Sequence, residues 1–216
     1  MTSHSNAGMP EEHTEILKIG VLGSGAFGTS MATVAARRGH RVYLWGRDEA
    51  QVQAICETRR NPKYGLDEFE LLENIQATSS LAETCEGADV LMLCLPAQRI
   101  PAFLQEHKDL IEKKTILCNT AKGLYVPTKQ LLSDAILEAM DRPEQPYAVL
   151  SGPSFAVEIM RNAPTAVVVA SKLLYNAVTI QSHVESLLPY LLLTRYRGSA
   201  VGWRSQEPTG SRRWHD

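Results

Sequence analysis

Three glycines, Gly23, Gly25 and Gly28, follow directly on an apolar run, LKIGVL at positions 17–22, and head a stretch, residues 27–38, with the spacing of an amphipathic helix. No other feature of the chain narrows the possible folds so far. Strand, tight glycine turn and helix are the context in which G-x-G-x-x-G reads as a dinucleotide-binding turn rather than a common string. The first glycine permits the sharp turn, the second lets backbone approach a pyrophosphate, and the third lets helix and strand pack closely. The helix N-terminus then offers unpaired N–H groups and the positive end of a dipole to phosphate. Glycines also bend and cap chains for structural reasons alone, so the remainder of the sequence has to decide.

Short apolar runs alternate with helical patterns along most of the chain. Strands are predicted at 17–22, 41–45, 75–78, 90–95, 115–118, 148–150 and 166–170. Helices are predicted at 27–38, 49–59, after Ile100, and at 128–140, 155–161 and 172–186. The run VLMLCL at 90–95 is apolar at every position, as expected of a parallel strand buried on both faces. Repeated strand–helix alternation predicts an α/β fold, a doubly wound and mainly parallel sheet. Ligands of such sheets bind beyond the carboxyl ends of the strands, so the residues just past each strand are the candidates for function.

Composition removes several alternatives. The 216 residues carry a formal net charge of −2, which leaves no electrostatic footprint for nucleic acid or an anionic membrane. The six histidines do not cluster as metal ligands would, and no metal site is expected. Cys56, Cys85, Cys94 and Cys118 form no C-x-x-C pair, and reduced thiols are expected of them. Residues 1–15 are polar and acidic, unlike a signal or transit peptide, and no apolar run approaches membrane-spanning length. A soluble, cytoplasmic protein is the expectation.

Past the second strand stand Arg47 and Asp48. An acidic residue there accepts from an adenosine 2′-hydroxyl and selects NAD, whereas an arginine pairs with the 2′-phosphate of NADP. Both are present, so the choice stays open, although Asp48 also suits the N-cap of the helix beginning at Glu49. Past the fifth strand, CNTAKG puts Lys122 at the mouth of the sheet, a cation for a phosphate or a polarised carbonyl. Past the sixth, SGPSFA contributes Gly152, which permits close approach, and Ser154, which can cap a helix or bond a ligand.

Taken in order, GSGAFGTSMA, VYLWGRD, NPKY at 61–64, DVLMLCLPAQ, CNTAKGLY, LSGPSFAVEI and PTAVVVAS resemble NAD(P)-dependent glycerol-3-phosphate dehydrogenase over roughly residues 17–186. The resemblance implies a Rossmann-like cofactor domain at 16–186. It implies that Gly23, Ser24, Gly25, Ala26, Phe27 and Gly28 hold the pyrophosphate of NAD or NADP and that Arg47 lies near the adenosine ribose. It further implies cofactor contacts at Arg99, Lys122 and Ala156. Lys122, Gly152 and Ser154 correspond to the substrate contacts, with Lys122 the catalytic candidate. The reaction implied is hydride transfer between the nicotinamide and dihydroxyacetone phosphate or sn-glycerol 3-phosphate, in a family whose full-length members are expected to be homodimers. Related reductases of 2-oxo or hydroxy acids, and a dinucleotide-binding fragment without catalysis, are the alternatives.

The family continues into a helical second domain opening with a G-G-A-L-K-N segment whose lysine is the acid/base. Residues 187–216 contain no such segment and show neither helical nor strand periodicity. Back-translation of Trp203-Arg204-Ser205-Gln206-Glu207 as TGG CGC TCT CAA GAA, read one nucleotide later with the first base of Pro208, spells Gly-Ala-Leu-Lys-Asn. The expectation is that residues 188–216 are a frameshifted start of that second domain, an irregular tail that leaves the chain inactive by itself.

Overall fold

Apolar runs without polar alternation are stable as strands when both faces of the sheet are covered, and in this chain both are. The computed structural model describes residues 15–152, 154–184 and 190–195. Its elements are β1 (Lys18–Leu22), α1 (Ala26–Arg37), β2 (Arg41–Trp45), α2 (Glu49–Thr58), β3 (Ile75–Thr78), α3 (Leu81–Cys85), β4 (Val90–Leu93), α4 (Ile100–His107), β5 (Ile116–Asn119), β6 (Leu124–Tyr125), β7 (Gln130–Leu131), α5 (Leu132–Met140), β8 (Tyr147–Ser151), α6 (Ala156–Met160), β9 (Ala166–Ser171), α7 (Leu174–Val184) and β10 (Tyr190–Arg195).

Among the described residues the main sheet has eight strands in the order β10-β9-β8-β5-β4-β1-β2-β3. Every neighbouring pair is parallel except β8 and β9, which run antiparallel. The fold is thus the expected mainly parallel, Rossmann-like α/β sheet. Alternate residues of each strand feed different cores. Ile19, Val21, Val90, Met92, Ile116 and Cys118 pack with α1, α6 and α7. Leu22, Leu91, Leu93 and Leu117 pack with α3, α4 and α5. The chain leaves β1 toward β2 on one side and returns to β4 on the other, so the strand order reverses between β1 and β4. That crevice is where ligands of open α/β sheets bind.

Three local expectations are corrected. Helix α3 is absent from the sequence reading because its five residues hold no full helical period; its signal is Ser80, whose hydroxyl caps the Glu83 N–H at 3.2 Å. The helix expected at 128–140 starts only at Leu132, because residues 124–131 form the β6–β7 hairpin, with Lys129 at φ +57°. The tail is not irregular throughout. Tyr190–Arg195 pairs with β9 along its whole length, from Tyr190 opposite Ala166 to Arg195 opposite Ser171. An open sheet edge offers a backbone template to any extended segment, which is why six residues without strand periodicity can extend it. The helix expected at 172–186 starts at Leu174; its last two residues, 185–186, and the rest of the tail lie outside the described residues.

Candidate functional site

The three glycines of the turn are glycines for three different reasons. Gly23 has φ +118°, and a Cβ there would lie 2.5 Å from the Cys94 carbonyl oxygen. A Cβ on Gly28 would lie 1.8 Å from the Gly23 carbonyl oxygen, so only hydrogen lets α1 pack this closely on the end of β1. Gly25 differs from both. Its φ of −71° is open to any residue, and a Cβ there would meet nothing within 4 Å. Nothing within the described chain requires glycine at this position; the open space in front of it does, if something else fills that space.

The helix behind that space is left bare. The N-cap residue of α1 is Gly25, no side chain caps the end, and the first turn holds no acidic residue. The N–H groups of Ala26, Phe27 and Gly28 consequently have no partner within the helix. By contrast, α2 and α3 are closed by the side chains of Asp48 and Ser80.

Beside the turn, the carboxyl ends of β4, β5 and β8 open a cleft of about 310 Å³ lined by residues of all three, including Cys94, Thr120, Lys122, Gly152 and Ser154, with Phe27 from α1. Lys122 donates from Nζ to the Gly152 carbonyl oxygen at 2.7 Å. Its loop is set by Asn119, whose side chain accepts from the Ala121 N–H at 3.0 Å and donates to the Ala121 carbonyl at 3.2 Å. Gly152 allows close approach as the sequence predicted, but the approaching group is β9: a Cβ would lie 2.4 Å from the Ala166 carbonyl oxygen. Ser154 borders the cleft with its hydroxyl 3.5 Å from the same Gly152 carbonyl. Burial pushes the Cys94 thiol up to about 12, against a smaller opposing effect of the Thr120 hydroxyl.

Arg47 and Asp48 have separate fates. Asp48 accepts from the Gln51 N–H at 3.2 Å and pairs with the Lys63 ammonium, which holds its carboxyl below the usual range. Arg47 is exposed just past β2, and its guanidinium has no hydrogen bond or ion pair among the described residues. Arg99 lies exposed in a single 3₁₀ turn before α4, and Ala156 is the first residue of α6. Neither borders the cleft.

Residues 18–177 match the model of the NAD-dependent glycerol-3-phosphate dehydrogenase N-terminus. The chain belongs to that family. The glycerol-3-phosphate dehydrogenase (NAD(P)+) of Syntrophomonas wolfei is 38% identical over 165 residues, 76% of this chain and 48% of the relative. That of Brucella canis is 41% identical over 153 residues, 71% of this chain and 46% of the relative. The crystal structure of glycerol-3-phosphate dehydrogenase from Coxiella burnetii superposes with a TM-score of 0.74 at 27% identity, over 84% of this chain and 54% of that one. The chain thus spans about half the length of the relatives it matches. Among the described residues no helix is long and apolar enough to cross a membrane.

Two parts of this glycerol-3-phosphate dehydrogenase N-terminal fold were not singled out from sequence. Thr120 lines the cleft and donates to the Leu93 carbonyl at 2.9 Å, tying β5 to β4 beside it. Asn61, first residue of the NPKY segment, is fully buried behind the glycine turn. A buried asparagine in a polar loop carries no periodic signal; its only mark in the sequence is the family string it opens.

Proposed function

We propose that this chain is the cofactor-binding half of an NAD(P)H-dependent enzyme reducing dihydroxyacetone phosphate reversibly to sn-glycerol 3-phosphate. The observation that carries the reading is Gly25, a glycine with an ordinary φ and empty space before it, at the bare N-terminus of α1. A pyrophosphate would fit there: the N–H groups of Gly25 to Gly28 would donate to its oxygens, and the helix end would favour its charge. The nicotinamide, when bound, supplies the hydride. The chain's own part is to hold and orient. Lys122, fixed by the Gly152 carbonyl, is the cation for the substrate phosphate or for the developing alkoxide, and Ser154 is a further polar contact. Arg47 is free for a 2′-phosphate while Asp48 is engaged as a cap, which favours NADP over NAD. In this reading the substrate is a small molecule, and full-length members pair as homodimers.

Gly25→Val tests the carrying observation. Its backbone conformation accepts valine and a Cβ there meets nothing within 4 Å among the described residues, so the variant is expected to fold with an unchanged circular dichroism spectrum. Titration followed by NADPH fluorescence is expected to show no saturable binding. Wild-type affinity in this variant would remove the pyrophosphate from the turn. The shifted reading frame of residues 188–216 belongs to the same proposal and is checked on the coding DNA. Codons for 203–207 that cannot spell Gly-Ala-Leu-Lys-Asn one base later would end it.

A further inference from the structure

From the polar groups buried behind the glycine turn we infer that Asn61 is a positioning residue for dinucleotide phosphate, an inference that rests on the proposed cofactor site. Its Nδ2 donates to the Ser24 carbonyl oxygen at 3.0 Å and to the Thr29 hydroxyl at 2.8 Å. Its Oδ1 accepts from Gln51 Nε2 at 2.9 Å and from the Lys63 N–H at 3.1 Å. The Lys63 N–H can only donate, so the amide has one permitted orientation, and all its hydrogen-bonding capacity is used. Gln51 Nε2 adds a second donor to the Ser24 carbonyl, at 2.8 Å.

The consequence follows from peptide geometry. The Ser24 carbonyl and the Gly25 N–H belong to one planar, trans peptide and point in opposite directions. Two buried amides holding the carbonyl inward therefore hold the Gly25 N–H outward, into the space that a Gly25 Cβ would find empty. Turned over, the same peptide would present its carbonyl oxygen to an incoming phosphate. Asn61 and Gln51 fix which pole of the peptide the ligand meets, and they do so before the ligand arrives.

A matched pair of variants tests this. In Asn61→Asp an oxygen replaces the Nδ2 donor and faces the Ser24 carbonyl, while the two bonds at Oδ1 can persist. Asn74 is the control, because its Nδ2 also donates to two carbonyls, Ala36 and His40, both at 2.8 Å, at the far end of α1. NADPH affinity is measured by fluorescence and stability by urea denaturation on the unaltered chain, Asn61→Asp and Asn74→Asp. Both variants are expected to lose stability. Only Asn61→Asp is expected to weaken NADPH, by about tenfold or more, as loss of a donor to a charged group does. Inorganic pyrophosphate is expected to shift the Gly25 amide resonance in the unaltered chain and in Asn74→Asp, but not in Asn61→Asp. If Asn61→Asp does not fold, Gln51→Met removes one of the two donors to Ser24 and is expected to weaken NADPH by several fold. Unchanged affinity in the folded variant, or equal weakening in Asn74→Asp, would overturn the inference and leave the cofactor site standing. No binding by the unaltered chain would overturn the cofactor site, and the inference with it.

Discussion

Acid should loosen this domain through one pair of rings well before its carboxylates titrate. His40 and His183 are buried side by side, with His183 Nδ1 3.1 Å from His40 Nε2 and the ring centroids 4.7 Å apart. The Leu17 N–H donates to His40 Nδ1 at 3.3 Å, so the neutral His40 carries its proton on Nε2 and donates to His183. Burial, His183 and Arg38 together hold His40 from 6.5 down to about 4, and burial and Arg38 also lower His183, against weaker opposing effects of Glu15 and Asp89. With the folded value below the unfolded one, the unfolded chain binds more protons between those pH values. The stabilisation is complete above about pH 6.5 and is lost as pH falls toward 4. The fall of His40 from 6.5 to about 4 corresponds by itself to about 3 kcal/mol over the whole window. About 2 kcal/mol of it falls between pH 7.5 and 5, above the usual carboxylate range. Urea denaturation at those two pH values measures it. A His40→Leu/His183→Leu double variant, which removes both partners, is expected to lose most of the difference. Equal stability at both pH values in the unaltered chain, or an equally steep loss in the double variant, would refute the reasoning.

Two further outcomes are expected. Gly28→Ala forces a Cβ to within 1.8 Å of the Gly23 carbonyl oxygen, so α1 must move off β1. The loss on urea denaturation should reach about 3 kcal/mol, the upper end of overpacking costs, despite alanine's better helix propensity. Arg47→Ala should weaken NADPH by about tenfold and leave NADH within about twofold, the size of one hydrogen bond to a charged phosphate; equal weakening of both would remove Arg47 from the 2′-position.

Much of this fold was legible because burial on both sheet faces writes strands as unbroken apolar runs, and the positions 41–45 and 75–78 were read to the residue. Strand direction is not written that way. Val149 and Leu150 look the same whether their neighbour runs parallel or antiparallel, so the reversal at β9 had no signal. Helix α2 was expected to include Arg59, which instead turns left-handed at φ +56° and donates its guanidinium to the Ile75 carbonyl at 2.9 Å. A side chain that satisfies carbonyls 16 residues away can replace the glycine expected at a helix end. In the candidate site, the motif glycines and Lys122 were legible as local strings. The support for them was not, because Asn61 meets Ser24 across 37 residues and Gln51 meets it across 27.

The two ends of the candidate site are built to different degrees, and the difference bears on the proposed function. At the turn every constraint is internal. Gly28 seats α1 on Gly23, Gly23 sits against the Cys94 carbonyl, and Asn61 and Gln51 hold the Ser24 peptide. A cradle fixed this way costs little to order when a phosphate enters, which is where preorganisation raises affinity. At the other end Lys122 has one anchor among the described residues, Ser154 has a long contact to the same carbonyl, and the neighbouring Leu124, Val126 and Phe155 are 53%, 67% and 70% exposed. Water has free access there, and electrostatic stabilisation of a developing charge is weakest where water competes. In the proposed reaction, the preformed turn accounts for cofactor recognition, whereas catalysis at Lys122 calls for a cover over the cleft that the described residues do not provide.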